Sequence, residues 1–218
     1  VRYEAYNMEN AEIIVTAFGT VARIAKSAID ELKEEGIPAP DKTPVYFPKF
    51  TDKLTQSEEF EVLDETDHSG EAEFALFFDK SEIYVGVGSD HTDRDLESAS
   101  VPKSKQACAK PIAAKVWDYE DMKDHWDSIK LRSYQTVDGK EIAYQDGTLA
   151  DILPPDLILK ELDERVGGID NVVIFSGTVP LLNGFTFGTN FRYEMVDEVL
   201  NRKITSDYNV IAISEEER

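Results

Sequence analysis

Two consecutive stretches of alternating apolar residues constrain the fold of this chain more than any other feature. Side chains of a β-strand point to opposite faces in turn, so each stretch predicts a strand with one apolar face. Residues 79–82 lie between the stretches, and a two-residue turn at Lys80-Ser81 would join them into an antiparallel hairpin. The apolar positions are Ala72, Phe74, Leu76 and Phe78 in the first stretch and Ile83, Val85 and Val87 in the second.

The hairpin decides which side chains lie opposite one another. With a two-residue turn, Glu73 lies opposite Gly88 and Glu71 lies opposite Asp90. Directly opposed residues of an antiparallel pair point to the same face. The carboxylates of Glu71, Glu73 and Asp90 are therefore predicted to meet at one end of one face, beside glycines that leave open volume.

Three carboxylates at cross-strand spacing, about 5–8 Å, repel one another. At an effective dielectric constant near 20, one pair at about 5 Å costs roughly 3 kcal/mol. A divalent cation with oxygen ligands would offset this repulsion, and Mg²⁺ is often held by a few carboxylates and water. The alternative is that the glutamates lie on a solvated face, where water and salt screen them.

The remaining patterns predict a β-dominated α+β domain. Residues 1–55 form an N-terminal βα segment and an extended loop, and residues 56–218 form the main part of the same domain. Predicted helices are Val21–Glu35, a helix that begins at Asp118 and carries Met122, Trp126 and Ile129, and Pro155–Val166. Other predicted elements are a strand Ile13–Ala17, a loop Pro38–Pro48, a hairpin of Leu131–Thr136 and Glu141–Gln145 around Asp138-Gly139, a strand Val172–Phe175, and strands from Thr186 onward.

The net charge of −21 excludes several partners. An acidic surface repels nucleic acid and anionic membranes, and no apolar run approaches the roughly 18 residues that span a bilayer. The single cysteine, Cys108, fits a reducing cytoplasm. One basic stretch stands out and is predicted either to bind an anionic ligand or to neutralise nearby carboxylates. Its residues are Arg94, Lys103, Lys105, Lys110 and Lys115.

The segment around the carboxylates resembles the fumarylacetoacetate hydrolase superfamily. That family carries Glu-x-Glu on one strand and, further on, an aspartate in a pattern like Asp-x-Ser/Thr-x-Arg-Asp. The matches here are Glu71-Ala72-Glu73 and the run from Asp90 to Asp95. The family's metal ligands thus fall on the three carboxylates that the hairpin brings together, and the resemblance implies Mg²⁺, Mn²⁺ or Ca²⁺ as the cofactor.

The resemblance continues downstream over most of the chain. It is strongest to a branch known only as a domain of unknown function, through SGEAEF, GSDHTDR, SKQACAKP, HWD, YQDGTL and FGTNF. It implies a mixed β-sheet roll with a few flanking helices and, since the family usually dimerises, a homodimer. Ile13–Ile37 also resembles part of the 2-oxoacid:ferredoxin oxidoreductases locally, which we interpret as a shared βα pattern.

The family acts on small anionic 2-oxo acids or 1,3-dicarbonyl compounds through a metal-stabilised enolate. The resemblance therefore implies an enzyme, either a C–C hydrolase or a decarboxylase. The family lysine corresponds to Lys103 or Lys105, between which the sequence does not choose. Arg94 would bind a substrate carboxylate or form a salt bridge with Asp93 or Asp95.

The remaining candidate site residues are two histidines and three positions that match family segments. His68 and His91 flank the carboxylates as candidate proton carriers, and Gln145 matches a family glutamine. Gly177 and Thr178 match a family segment that offers a backbone N–H and a hydroxyl to the substrate, or else they close a turn. The helix near Glu31 has no histidine of the kind that activates water in family hydrolases. An acid-sugar dehydratase or lyase, or a non-catalytic relative, therefore remains an alternative.

Overall fold

The computed structural model describes residues 46–63, 67–79, 82–167 and 172–213. The elements below lie in one compact unit, Phe47–Arg218. The strands are β1 (Leu54–Thr55), β2 (Glu59–Val62), β3 (His68–Ser69), β4 (Ala72–Asp79), β5 (Glu82–Ser89), β6 (Thr92–Asp93), β7 (Lys110–Pro111), β8 (Trp117–Asp118), β9 (Lys130–Val137), β10 (Lys140–Thr148), β11 (Val173–Thr178), β12 (Asn190–Asp197) and β13 (Arg202–Ala212). The helices are α1 (Arg94–Ala99), α2 (Val101–Ala107), α3 (Tyr119–Met122) and α4 (Pro155–Val166), with 3₁₀ turns at Thr51–Lys53, Lys123–Ser128 and Leu149–Asp151.

Two larger sheets form the body of this unit. One has the order β10-β9-β12-β13-β2, and the other has the order β11-β4-β5-β8. Neighbouring strands are antiparallel except β13 and β2, which are parallel. Strands β4 and β5 lie against β9, β12 and β13 of the larger sheet. This arrangement confirms the predicted β-dominated α+β class with a mixed sheet.

The core lies where the two sheets face each other. Phe74, Leu76, Val85 and Val87 are fully buried, as the alternating pattern predicted. The Phe74 ring meets the Trp126 ring edge-on with 5.0 Å between centroids. Burial of one such side chain contributes about 1.5–3 kcal/mol to folding, so this face holds the hairpin against the larger sheet and leaves the other face to the carboxylates.

The register of the β4–β5 hairpin is the predicted one. Asp79 pairs with Glu82 and Glu73 pairs with Gly88. Beyond the ladder, the Asp90 N–H donates to the Glu71 carbonyl over 2.9 Å, which brings the last predicted pair together. The turn residues Lys80 and Ser81 lie outside the described residues, as do the predicted strand Ile13–Ala17 and helix Val21–Glu35.

The glycines of β5 do not leave the open volume predicted from the sequence. A Cβ at Gly88 would lie 2.8 Å from the Phe175 ring and 2.9 Å from the Pro111 carbonyl oxygen. At Gly86 a Cβ would meet the Phe77 ring at 2.9 Å. Aromatic rings fill these spaces because the absence of a Cβ lets them approach the strand closely.

Gly88→Ala is therefore expected to lower the free energy of unfolding by about 1–3 kcal/mol, the usual range for overpacking. The new methyl group conflicts with a backbone oxygen as well as with a ring. Gly86→Ala on the same face is the matched control, because its one contact below 3.4 Å is with the movable Phe77 side chain. Urea denaturation of both variants would measure the difference, and equal losses would contradict the backbone conflict.

The helices agree with the sequence in part. The predicted helix Pro155–Val166 is confirmed, and Gly167 ends it with φ 73°. Asp118 caps α3, as predicted, by accepting a hydrogen bond from the Glu120 N–H. However, α3 has only four residues and passes into a 3₁₀ turn that kinks at His125. The continuous helix predicted from Asp118 to Ile129 is therefore wrong.

The later strands follow the predicted pattern closely. The hairpin of β9 and β10 turns at Asp138 and Gly139, both with positive φ, as expected of this turn type. The strand predicted to end at Phe175 continues to Thr178 through a bulge. Strands predicted from Thr186 begin at Asn190. Within the described part of the chain, helices are too short or too polar to cross a membrane.

Candidate metal centre

The three predicted carboxylates come together at one end of the β4–β5 hairpin. One carboxylate oxygen each from Glu71, Glu73 and Asp90 lies within 4.8 Å of the others. Glu73 is 4% exposed and Asp90 is 3% exposed. The alternative of a solvated acidic face is therefore wrong for Glu73, whereas Glu71 is half-buried, and Glu73 and Asp90 lie where water screens charge weakly.

Burial changes the protonation of this cluster. Desolvation, followed by the charges of Asp90 and Glu71, raises the pKa of Glu73 to about 8 from its ordinary 4.5. The pKa of Asp90 is lowered, because Lys110, Lys105 and Lys49 outweigh its own desolvation. The pKa values of Glu73 and Asp90 are thus shifted in opposite directions, and perturbed pKa values of this kind are common at functional sites.

Lysines surround Asp90 and Glu71. Lys105 Nζ lies 2.6 Å from Glu71 Oε2, 3.0 Å from Thr92 Oγ1 and 3.6 Å from Asp90 Oδ2. Lys110 Nζ lies 3.1 Å from Asp90 Oδ1. Lys49 Nζ lies 2.9 Å from Asp90 Oδ2. Ammonium groups therefore offset part of the repulsion between the carboxylates, which the sequence predicted that a divalent cation would offset.

The structure distinguishes the two lysines between which the sequence did not choose. Both lie on α2, but Lys105 is buried against the carboxylates whereas Lys103 is exposed. Desolvation lowers the pKa of Lys105, but the charges of Glu71 and then Asp90 outweigh it, so the pKa is raised overall. Helix α2, which directs Lys105 inward, was not among the predicted elements, although Pro102 in its first turn is typical of a helix start.

Two lysines of the site were missed as site residues. The sequence pointed to Lys110 only as a member of the basic stretch and not as a site residue. In the structure it is 1% exposed and donates to the His91 carbonyl. A lysine among Ala107, Cys108, Ala109 and Pro111 is a signal for a buried, paired charge. Lys49 lies in residues 46–50, which have no regular structure, and its sequence neighbours carry no comparable signal.

Arg94 holds Glu71 in place. Its Nη1 donates to Glu71 Oε1 at 3.0 Å and to Glu97 Oε2 at 2.9 Å, and its Nε donates to Ser69 Oγ at 2.8 Å. A salt bridge was one of the predicted alternatives, but its partners are not Asp93 and Asp95. The guanidinium also lies 4.8 Å from the centre of the Phe185 ring.

The two histidines form a buried chain beside the cluster. His68 Nδ1 lies 2.8 Å from His91 Nε2, and His91 Nδ1 lies 2.7 Å from the Tyr208 hydroxyl. That hydroxyl in turn lies 2.8 Å from Ser89 Oγ. Desolvation, and then the charge of His68, holds the pKa of His91 well below 6.5. The ring nitrogens of His91 are thus engaged by His68 and Tyr208 and not by the three carboxylates.

Gln145 and Thr178 support the strand that carries Glu73. Gln145 Oε1 accepts from the Ala72 N–H at 3.0 Å, and its Nε2 donates to Thr178 Oγ1 at 2.7 Å. Thr178 Oγ1 donates to the Ala72 carbonyl at 2.7 Å. Gly177, beside them, has φ 114°, a conformation that favours glycine. These contacts position β4 and β11, and the substrate contacts expected of these residues stay a prediction.

The chemistry of the cluster fits a divalent cation. Asp90 Oδ1 is buried and accepts no hydrogen bond from the described residues, although Lys110 lies within ion-pair distance. Carboxylate oxygens are the ligands that Mg²⁺, Mn²⁺ and Ca²⁺ prefer. Glu71, Glu73 and Asp90 could therefore hold such an ion together.

Solved structures share this fold. The chain is similar to the protein in "Crystal structures of Cg1458", with a TM-score of 0.59, 18% identity, and coverage of 74% of this chain and 67% of that one. It is also similar to a 2-keto-3-deoxy-D-arabinonate dehydratase in its apo form, with a TM-score of 0.60, 15% identity, and coverage of 84% and 66%. A structure of that dehydratase complexed with magnesium and 2,5-dioxopentanoate has a TM-score of 0.55 and 14% identity, with coverage of 77% of this chain and 62% of that one. The chain thus spans about two thirds of these proteins, and this level of identity shows the fold alone.

The described residues have a fumarylacetoacetate hydrolase-like fold and an acidic cluster that could bind a metal ion. The chain belongs to the family described as "Protein of unknown function (DUF2848)", whose model matches residues 20–208. A separate, local similarity covers 37 residues at 51% identity with the ketoisovalerate oxidoreductase subunit VorB of Methanothermobacter marburgensis. It spans 17% of this chain and 10% of that protein.

Proposed function

We propose that this protein is a divalent-metal-dependent enzyme that acts on a small anionic 2-oxo acid or 1,3-dicarbonyl compound. The observation that carries the proposal is the set of half-buried Glu71 and buried Glu73 and Asp90, whose ligand atoms lie within 4.8 Å of one another. Buried carboxylates are rare unless they are paired or coordinate a metal. The candidate ions are Mg²⁺, Mn²⁺ and Ca²⁺, since all three prefer oxygen ligands. Mg²⁺ comes first because it is often held by a few carboxylates and water.

A bound cation would supply Lewis-acid chemistry by withdrawing electron density from the substrate's carbonyl group. The protein's own residues would do the remaining work. Lys110 is held between Asp90 and the His91 carbonyl and can donate a proton from a fixed position. Lys105 carries a second ammonium group beside Glu71. Arg94, fixed by Ser69 and Glu97, keeps Glu71 directed at the cluster.

The position of the histidines favours a lyase over a hydrolase. Hydrolysis needs a base that activates water at the reacting carbon. His91 and His68 bond to each other, and the second ring nitrogen of His91 bonds to Tyr208. Three of the groups that pair with the carboxylates are the ammonium groups of Lys49, Lys105 and Lys110, which donate protons rather than accept them. Decarboxylation needs no such base, because carbon dioxide leaves and the resulting enolate then takes up a proton, so it suits these residues better than hydrolysis. Dehydration would need a base to remove the proton beside the carbonyl group.

Metal binding is testable without knowledge of the substrate. Millimolar Mg²⁺ or Mn²⁺ is expected to raise the unfolding temperature, since a ligand at 100 times its Kd stabilises by about 2.7 kcal/mol. For a chain of this size that amounts to roughly 5–11 °C. Differential scanning fluorimetry would measure the shift, with EDTA and an equal ionic strength of KCl as controls. No shift with any of the three cations would overturn the proposal.

Turnover separates the enzyme from its non-catalytic alternative. The panel should contain acylpyruvates, oxaloacetate and 2-keto-3-deoxy acid sugars, and NMR would identify the products. Carbon dioxide release indicates a decarboxylase, loss of water indicates a dehydratase, and two acid products indicate a C–C hydrolase. Binding of these compounds without turnover of any would favour a non-catalytic relative.

A further inference from the structure

With Glu73 ionised, as cation binding requires, the charges around the cluster balance before the charge of the cation is counted. Four carboxylates and four cationic side chains lie together; three of the carboxylates form ion pairs, whereas a Glu73 oxygen lies within 4.8 Å of oxygens of Glu71 and Asp90. The acidic residues are Glu71, Glu73, Asp90 and Glu97, and the basic ones are Lys49, Arg94, Lys105 and Lys110. A divalent cation would bring two positive charges into a buried place where charge is screened weakly. An anionic ligand that arrives with the cation, or a basic group that moves away, would restore the balance.

One of the four basic groups is held less firmly than the others. Lys105 is also bonded to Thr92, Lys110 is also bonded to the His91 carbonyl, and Arg94 is also bonded to Ser69. The Lys49 ammonium has Asp90 as its ion-pair partner among the described residues. Its side chain is 20% exposed, against 1% for Lys110.

Lys49 also has another place for its ammonium group. Its Nζ lies 5.6 Å from the centre of the Phe175 ring, on the ring's face. Phe175 covers Gly88, the residue opposite Glu73. An ammonium that leaves Asp90 can therefore stay over the aromatic face, beside the cluster, since a ring face attracts cations.

We propose that the Lys49 ammonium competes with the divalent cation for Asp90 and, once displaced, binds the carboxylate of the anionic ligand. This inference rests on the proposed function, from which it takes both the cation and the ligand. Lys49 pairs with Asp90 Oδ2, on the same carboxylate that offers an oxygen to the cation, so the ammonium and the cation would lie close together and repel each other. Lys49 thereby makes cation binding weak in the absence of ligand and stronger in its presence.

The consequence is a positive coupling between cation and ligand. If the ligand raises the affinity for the cation by some factor, the cation must raise the affinity for the ligand by the same factor. Such couplings are commonly about 5–150-fold. Removal of the Lys49 charge is expected to raise cation affinity without ligand, to lower ligand affinity, and so to reduce the coupling.

Isothermal titration calorimetry with Mn²⁺, with and without oxalate, tests this inference. Oxalate is a suitable probe because it is a dianion with two oxygens placed like those of a 2-oxo acid. Wild type is expected to bind Mn²⁺ at least about tenfold more tightly with oxalate present. Lys49→Met, which keeps an unbranched side chain without the charge, is expected to bind Mn²⁺ alone about tenfold more tightly and to show an oxalate effect below about threefold.

Lys103→Met is the matched control. It removes the same charge from an exposed position and should leave both the Mn²⁺ affinity and the oxalate effect unchanged. If Lys49→Met proves unstable, Lys49→Gln gives the same comparison with a polar side chain. Mn²⁺ affinity and oxalate effect equal to wild type would overturn the role of Lys49 while the proposed metal site stands. If no variant binds Mn²⁺, the proposed function fails and this inference fails with it.

Discussion

Glu73→Gln is expected to stabilise the metal-free protein near pH 8 and to abolish its stabilisation by Mg²⁺ or Mn²⁺. Glu73 is buried beside Asp90 and Glu71, so its charged form is costly without a metal ion. Glutamine keeps the shape of the neutral acid but cannot ionise. The gain should be at least about 1 kcal/mol, since one pKa unit corresponds to about 1.4 kcal/mol. The unfolding temperature should therefore rise by roughly 2–4 °C or more.

The pH dependence of this effect has a definite sign. The pKa of Glu73 is raised to about 8 in the folded protein from an ordinary 4.5. Its neutral form therefore contributes stability that is fully present below about pH 4.5 and is lost as the pH rises through about 8. Glutamine cannot lose a proton, so the advantage of Glu73→Gln should grow across this window. Metal binding near pH 7 should release a proton from Glu73, because the ion needs the carboxylate.

Thermal unfolding in EDTA at several pH values would measure the first effect. Calorimetry in buffers of different ionisation enthalpy would measure proton release by the wild type. Glu164→Gln, the same substitution on the exposed side of α4, is the control and should change neither stability nor metal binding. A Glu73→Gln variant that responds to Mg²⁺ as the wild type does would exclude Glu73 as a ligand.

Lys110→Met is expected to cost about 3–5 kcal/mol of stability, the usual loss when one partner of a buried ion pair is removed. Lys110 is 1% exposed and lies 3.1 Å from Asp90 Oδ1, so its loss removes the most deeply buried of the positive charges around Asp90. Burial lowers the pKa of Lys110, with Asp90 opposing that shift. If Lys110 donates the proton in catalysis, kcat should also fall by about 10²–10⁴-fold.

Lys115→Met is the control, because Lys115 is exposed five residues further along the chain. Urea denaturation would give the stability loss, and turnover far below the unfolding temperature would separate lost chemistry from lost folding. Equal stability of the two variants would show that the Asp90–Lys110 pair contributes little. A stable Lys110→Met enzyme with unchanged kcat would remove Lys110 from the proposed proton transfer.

The carboxylate cluster could be predicted from the sequence because it depends on local rules. Alternation with a period of two and a two-residue turn fix the register of the β4–β5 hairpin. That register alone places Glu73 opposite Gly88. The same locality explains why the hairpin at Asp138-Gly139 and the helix Pro155–Val166 were predicted correctly.

The partners of the carboxylates could not be predicted in the same way. Lys105 reaches Glu71 across 34 residues through a helix that the sequence pattern did not reveal. The Lys49 contact with Asp90 joins an irregular segment to the end of a strand. No sequence periodicity relates Lys105 to Glu71 or Lys49 to Asp90. Lys103 and Lys105 carry the same charge, so only their burial in the structure distinguishes them.

The sequence by itself determined the β-dominated class, the main hairpin and the three acidic side chains that converge on it. Only the tertiary structure decided that Glu73 and Asp90 are buried, that Lys49, Lys105 and Lys110 pair with the carboxylates, and that His91 bonds to Tyr208. The physical reason is distance along the chain. Strand pairing across a tight turn depends on neighbouring residues, whereas burial and charge pairing depend on segments that meet only after the whole unit has folded.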